Sequence, residues 1–162
     1  MSGGRRDEAF ERLYGEHADG LLGFLTYQTG DRVLAEDIVA DTFERVLRTG
    51  SGWRGRSGQK TWLYTIAVNR MRDLARRRGA EARAVERVAI PIATADEIGA
   101  IAERDELARA LQDLSEEERV VVALRFGAEL SLSEMADVLG ERQTTIEGRL
   151  YRGLRRLRDS LG

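Results

Sequence analysis

The sequence predicts an all-α fold, with two small helical domains joined by a linker and a helix-turn-helix in the second domain. Apolar residues recur at three- and four-residue intervals along most of the chain, the spacing of amphipathic helices. The chain has 162 residues and a single proline, Pro91, so little interrupts these helices. We place the domains at residues 1–79 and 105–162, with the linker at 80–104.

The N-terminal domain is predicted to contain three helices, over about 7–28, 32–48 and 60–78. Asp31 lies where it can cap the second helix, because its side chain can accept from a free backbone N–H. The apolar positions of that helix share one inner face. They are Ala35, Ile38, Val39, Thr42, Phe43 and Val46. A loop rich in glycine separates the second helix from the third.

The C-terminal domain contains two capping boxes, in which a serine at the helix start is followed three residues later by glutamate. Ser115 pairs with Glu118 in the first box, and Ser131 pairs with Glu134 in the second. Leu107, Leu111 and Leu114 indicate one more helix ahead of them.

The second capping box opens a predicted helix-turn-helix. A short apolar helix with Met135 and Val138 ends at Gly140, and a longer helix follows over about 143–159. We expect the short helix to pack on Ile146, so that the start of the long helix projects toward a DNA major groove.

Charge is divided unevenly along the chain. The formal net charge is −2, but residues 54–87 carry +7 and residues 142–158 carry +5, which leaves −14 on the remainder. Two basic segments on an acidic body predict two nucleic-acid contact surfaces.

Several function classes are disfavoured by composition. The chain has no cysteine and one histidine, His17, so we expect no disulfide, no metal site and no cofactor. No paired carboxylates or histidine dyad suggests catalysis, so no catalytic residue is predicted and the protein is not expected to be an enzyme. No apolar run is long enough for a membrane span and no signal peptide is visible, which predicts a cytoplasmic protein without membrane insertion.

The start of the last helix carries side chains suited to reading duplex DNA. Gln143 and Arg149 can make bidentate contacts to base edges, and Thr144 can contact a thymine methyl or a phosphate. Glu147 can accept a hydrogen bond from cytosine, pair with Arg142, or contact the tyrosine one turn on. The alternative is an ordinary helix hairpin with a solvated arginine face.

The loop and helix of the N-terminal domain suit single-stranded DNA instead. Trp53 offers a stacking face for an unpaired base, and Asn69 can hydrogen-bond a base or phosphate. The alternative is that Trp53 covers the core and the glycines form a plain flexible loop.

Taken together, residues 7–160 resemble a bacterial extracytoplasmic-function (ECF) sigma factor. The stretches that carry the resemblance are Ala35–Phe43 (AEDIVADTF), Thr61–Arg70 (TWLYTIAVNR), and Leu139-Gly140 with Thr145-Ile146-x-x-Arg149-Leu150. The sequence departs from the family at Glu147, where a basic residue is usual, at Gly148, where a small hydroxyl is usual, and at Trp53, where Phe is usual.

The resemblance implies a subunit that binds core RNA polymerase, recognises two promoter elements and helps to open the promoter. Its partners would be the β′ clamp helices and β flap of the polymerase, promoter DNA, and an anti-sigma factor. Core-polymerase binding would use Glu36, Asp37, Asp41, Phe43 and Arg45. Minus-ten recognition and strand opening would use Trp53, Arg54, Arg56, Ser57, Asn69, Arg70, Arg72, Arg76 and Arg77. Minus-thirty-five recognition would use Arg142, Gln143, Thr144, Thr145, Glu147, Arg149 and Arg152.

Two other functions stay open from the residues alone. One is a helix-turn-helix transcription regulator of the response-regulator output type, which would use the last helix but not the stretch 61–70. The other is a helical adaptor that binds only protein. Salt dependence separates the adaptor from the others, because DNA affinity should drop steeply with salt if several phosphates are neutralised, and a flat response would exclude every DNA-binding function.

Overall fold

The computed structural model describes residues 2–49, 58–78 and 101–162. Within these ranges the fold is entirely helical, with seven α-helices and one π-helical turn. In chain order the elements are α1 (Ser2–Thr29), α2 (Arg32–Thr49), α3 (Gln59–Arg78), α4 (Ile101–Gln112), α5 (Glu116–Val122), the π turn (Ala123–Gly127), α6 (Leu132–Leu139) and α7 (Gln143–Leu161). The predicted fold class and helix order are confirmed.

Two helices begin earlier than the pattern predicted. Helix α1 starts at Ser2 and not near residue 7, and α4 starts at Ile101, inside the predicted linker 80–104. Both extensions lack a strong apolar stripe, so periodicity gave no signal there.

The connection between α1 and α2 is a tight turn. Gly30 adopts φ 71°, a left-handed conformation that glycine reaches without a Cβ penalty. The Asp31 carboxylate then accepts from the backbone N–H of Leu34 at 3.2 Å, which confirms the predicted cap.

Both capping boxes form. The Ser115 hydroxyl accepts from the Glu118 N–H at 3.1 Å, and the Glu118 carboxylate accepts from the Ser115 N–H at 3.0 Å. The Ser131 box has the matching distances of 3.1 Å and 2.9 Å. Each box thus gives a side-chain acceptor to two backbone N–H groups that have no partner within the helix.

The π turn changes which side chains face inward after α5. Leu124 is fully buried, but Phe126, two residues later, is 60% exposed. The turn winds with i→i+5 hydrogen bonds, such as that from the Ala128 N–H to the Ala123 carbonyl at 3.0 Å, and Phe126 near its end lies outside the core. On α7, Leu154 is 39% exposed, whereas Leu157 is buried.

The two halves of the chain pack against each other. Helix α3 lies on α6, and α1 lies on the π turn, so that one apolar cluster includes Leu63 of α3 together with Met135 and Leu139 of α6. The Thr61 hydroxyl donates to the Glu134 carboxylate at 3.0 Å across this junction. The capping glutamate of α6 therefore also holds the start of α3.

Candidate nucleic-acid interface and polymerase-binding surface

The start of α7 is presented to solvent by a buried anchor. Ile146 is fully buried with Met135 and Val138 in the shared core, as predicted for the helix-turn-helix. Gly140 ends α6 in a left-handed conformation at φ 66° and turns the chain toward α7. The exposed side chains around the anchor are Arg142, Gln143, Thr144, Thr145 and Glu147.

The first turn of α7 is also suited to a phosphate. Arg142 occupies the N-cap position, and its side chain makes no capping hydrogen bond. The first backbone N–H groups of a helix lack partners within the helix and carry its positive dipole end. An incoming phosphate can supply that cap, with Arg142 beside it.

Arg149 lies in different surroundings from the other residues of α7 that were predicted to contact DNA. Its side chain is only 14% exposed and is held between two carboxylates. Nη1 bonds Glu141, in the turn, and Nε lies 3.5 Å from Glu117, in α5. The sequence pattern placed Arg149 on the exposed face, but these contacts direct its guanidinium toward the protein.

The outward face of α7 continues beyond the predicted set. Tyr151 is 65% exposed, and the Arg155 guanidinium lies 5.9 Å from its ring centroid. Arg152 is exposed, and one of its guanidinium nitrogens lies 3.5 Å from where a Cβ on Gly148 would be. Tyr151 and Arg155 were not predicted as site residues, although Tyr151 stands one turn after Glu147 on the same helix.

Glu147 is the acidic member of this face. It is exposed, and within the described residues it makes no ion pair. The pairing with Arg142 that the sequence allowed is not formed there. Its carboxylate is therefore available to accept a hydrogen bond from a base edge.

Helix α3 divides the stretch 61–70 into a buried side and an exposed side. Leu63, Ala67 and Val68 are fully buried, and burial raises the pKa of Tyr64 to about 12. Asn69 is exposed at the end of this stretch, as a DNA contact requires.

The arginines of α3 differ in the contacts that they make within the protein. Arg70 Nε pairs with Asp41 of α2 at 3.0 Å, and Arg72 Nη1 donates to the Leu139 carbonyl of α6 at 3.2 Å. Arg76 and Arg77 are exposed. In both arginines part of the guanidinium is thus engaged within the protein. The predicted residues Trp53, Arg54, Arg56 and Ser57 lie outside the described residues.

Helix α2 presents an acidic surface with apolar ends. Glu36, Asp37 and Arg45 are exposed, and the Asp41 side chain is 43% exposed. Val33 and Leu47, at the two ends, are 69% and 57% exposed, and sequence reasoning missed both because they fall outside the buried stripe. We call Val33, Asp37, Ala40, Glu44 and Leu47 the outer stripe of α2, since they follow one another at three- and four-residue spacing.

Phe43 does not belong to that surface. It is 3% exposed, and its ring makes edge-on contacts with Tyr14 at 4.9 Å and with Phe10 at 5.9 Å between centroids. Phe43 therefore supports α2 from within the core, and a direct contact with another protein would require it to leave its packing.

Within the described residues, no group of histidine, cysteine, aspartate and glutamate side chains has the arrangement of a metal site. In the same ranges, no helix combines the length and hydropathy needed to cross a bilayer.

Comparison with known proteins identifies both halves of the chain. Residues 13–81 match the family model of Sigma-70 region 2, and residues 110–159 match that of Sigma-70, region 4. These ranges contain α3 and the helix-turn-helix respectively. A response-regulator output domain or a protein-only adaptor would not account for both matches.

The similarity extends over most of the length of each protein compared. The chain is 33% identical to the RNA polymerase sigma factor CarQ of Myxococcus xanthus, over 96% of this chain and 90% of that protein. It is 34% identical to the ECF RNA polymerase sigma factor SigL of Mycobacterium tuberculosis, over 99% of this chain and 94% of that protein.

A solved structure shares the fold. The sigma factor RpoE of Bartonella quintana, crystallised in complex with the anti-sigma factor NepR, superposes with a TM-score of 0.81 and 25% identity, over 95% of this chain and 97% of that one. Sequence, domain content and fold agree, and the chain belongs to the ECF family of promoter-recognising RNA polymerase sigma factors.

Proposed function

We propose that this sigma factor recognises the minus-thirty-five element through the exposed start of α7. The observation that carries the proposal is the buried Ile146 anchor, which leaves Gln143, Thr144 and Glu147 exposed around an uncapped helix terminus. Amide, hydroxyl and carboxylate groups at that place can read base edges in a major groove. Arg142 and Arg152 supply charge for the flanking phosphates.

The proposed minus-ten surface is the exposed side of α3 with the loop before it. Asn69, Arg76 and Arg77 are accessible in the structure. Trp53 in the loop has the flat aromatic face on which an unpaired base stacks, with about 1–3 kcal/mol per base. Arg54, Arg56 and Ser57 would contact the same strand, and Arg70 and Arg72 would join once their internal partners are released.

The proposed polymerase-binding surface is the outer stripe of α2 together with Glu36, Asp41 and Arg45. Its acidic centre suits a basic partner surface, and its exposed apolar ends, Val33 and Leu47, suit a contact that buries them. By analogy with the family, the partners are the β′ clamp helices for α2 and the β flap for the C-terminal domain.

We further propose that the two halves separate on the promoter. By their names, the minus-thirty-five and minus-ten elements lie about 25 base pairs apart, or ~85 Å along B-form DNA at about 3.4 Å per base pair. A compact body of this length has a radius of gyration of only ~15 Å. The segment 79–100 could span at most ~75 Å when extended, so it can link separated halves. The domain division at 1–79, 80–104 and 105–162 belongs to this proposal.

An anti-sigma factor is the proposed regulator. RpoE of Bartonella quintana and CnrH, a second structural neighbour with a TM-score of 0.71 and 26% identity, were both crystallised with partners, the anti-sigma factor NepR and the cytosolic domain of CnrY. The proposed site of action is the cytoplasm, where core polymerase meets promoter DNA.

Transcription in vitro tests the function. Core polymerase supplied with the purified chain should initiate at a small set of positions in a genomic template pool, and mapping of RNA 5′ ends should reveal one shared promoter sequence. Core polymerase alone provides the baseline. Initiation nowhere above that baseline would refute the proposal.

A variant pair tests the role of α7. Thr144→Ala should weaken initiation at promoters that depend on the minus-thirty-five element, whereas Ser160→Ala, exposed at the far end of the same helix, should leave it unchanged. Equal activity of both variants would remove Thr144 from the interface.

A further inference from the structure

We propose that Arg149 is a positioning residue for minus-thirty-five recognition: it fixes the start of α7 against α5 and the preceding turn, and it does not touch DNA. The inference rests on the proposed function of α7. It assigns to Arg149 a role different from the base contact that its sequence position predicts.

The first argument is the set of contacts that Arg149 makes. Its guanidinium bonds Glu141 in the turn and lies 3.5 Å from Glu117 in the first turn of α5. One planar group with donors in several directions thus connects α5, the turn after α6 and α7. Glu141 is 32% exposed and Glu117 is 71% exposed, so Arg149 is the most enclosed of the three, at 14%.

The second argument is the continuation of this contact along α7. One turn later, Gly153 allows such close packing on α5 that a Cβ there would lie 3.2 Å from Val122 Cγ2. Further along, Arg156 Nη1 lies 3.5 Å from the Glu118 carboxylate. Arg149, Gly153 and Arg156 therefore form one flank of α7 that contacts α5, although Arg156 remains half-exposed. Thr144, Arg152 and Arg155 are exposed.

The third argument concerns charge. If Arg149 swung out to meet DNA, Glu117 and Glu141 would lose their shared cation and stand near phosphates of the same sign. Such like-charge proximity opposes binding. With Arg149 in place, both carboxylates are compensated and the exposed face keeps its positive residues.

Salt dependence of promoter binding by the reconstituted holoenzyme distinguishes positioning from contact. Each phosphate contact adds about one unit to the slope of log affinity against log salt. We expect Arg149→Gln to weaken promoter binding about tenfold. The salt slope should stay unchanged, and the base preference at every position of the minus-thirty-five element should be retained. Arg152→Gln is the matched control on the exposed face, and its slope should fall by about one.

A double-mutant cycle provides a second readout. Glu141→Gln should also weaken binding, although removal of a negative charge near DNA would by itself strengthen it. The double variant should lose no more than Arg149→Gln alone, because both changes break the same contact. If Arg149→Gln fails to unfold cooperatively in a thermal melt, Glu141→Gln carries the comparison, because it breaks the same contact and leaves the charge of Arg149 in place: weaker binding supports positioning, and unchanged or tighter binding overturns it.

Three outcomes would each overturn the positioning role. They are a lower salt slope for Arg149→Gln, a loss of base preference at one position of the element, and additive losses of affinity in the cycle. If the wild-type holoenzyme initiates transcription but the losses in the cycle are additive, only this inference is refuted. A wild-type chain that supports no initiation refutes the proposed function, and the Arg149–Glu141 coupling then remains measurable in thermal stability.

Discussion

Phe43 and Leu47 lie one helical turn apart on α2 and have opposite surroundings. Phe43 is 3% exposed among aromatic rings, and Leu47 is 57% exposed. Their residue types alone do not reveal this difference. Burial therefore decides which of the two can contact core polymerase.

Alanine at each position should separate folding from binding. Phe43→Ala should lower the free energy of unfolding by about 3–5 kcal/mol, because it removes a large ring from a packed core. Leu47→Ala should change it by no more than about 0.5 kcal/mol, because the side chain is mostly in solvent. Urea titration measures both.

Leu47→Ala should nevertheless weaken binding to core polymerase, since the outer stripe of α2 loses one apolar end. Competition against the wild-type chain for core enzyme measures this effect. Wild-type affinity in the Leu47 variant would argue against the outer stripe as the docking surface.

At the scale of the elements, helix order and capping were predictable because they depend on local interactions. The boxes at Ser115 and Ser131 form from four-residue signatures, and Asp31 caps α2 as its position predicts. Helix bounds were less predictable at α4, where the pattern is weak. The π turn was not predicted, since no local signature indicated its wider winding.

Two glycines of α7 provide a matched test of its packing. Gly148→Ala should stabilise the protein by up to about 1 kcal/mol, because alanine favours the helix and the new Cβ meets only the flexible end of Arg152. Gly153→Ala should instead cost about 1 kcal/mol net, because its Cβ would press on buried Val122, whose branched side chain has little freedom to move.

Thermal melts of the two variants, recorded by circular dichroism, give the comparison. Helix propensity alone would shift both melting temperatures upward by similar amounts. Equal stabilisation would therefore show that α5 and α7 are not closely packed at Gly153.

At the scale of the whole molecule, Glu134 joins a local cap to the junction between the two halves. The pKa of its carboxyl lies below the usual value, chiefly because the backbone N–H of Ser131 donates to it. The hydroxyl of Thr61 and the charge of Lys60 act in the same direction, and burial opposes them. The charged form is thus favoured in the folded state.

This shift predicts how stability depends on pH. A lowered folded pKa means that Glu134 contributes fully above its unfolded pKa and that the contribution is lost as pH falls through the folded pKa. The difference in unfolding free energy between wild type and Glu134→Gln should therefore be constant near neutral pH and shrink in acid. Urea titrations from pH 7 to about 3 measure it.

Glutamine keeps a carbonyl oxygen for the Ser131 N–H, so the variant should fold and retain most of the cap. A difference that stays constant into acid would show that Glu134 gains no stability from its charge. Thr61→Ala is the matched variant, since it removes the contact across the junction and leaves the Ser131 box intact.

The sequence by itself determined the all-α class, the order of the helices, their caps and the helix-turn-helix, because spacing and end signals of a few residues specify these features. It also indicated the polar faces, from Gln143 to Glu147 and at Asn69, because the stripe opposite a buried stripe is exposed. Only the tertiary structure decided which of the predicted contact residues have partners within the protein. Arg149, Arg72 and Arg70 find partners on α5, α6 and α2 that are distant in sequence, and α3 shares its core with α6. Contacts between distant segments depend on how the helices pack together, and no local pattern records that packing.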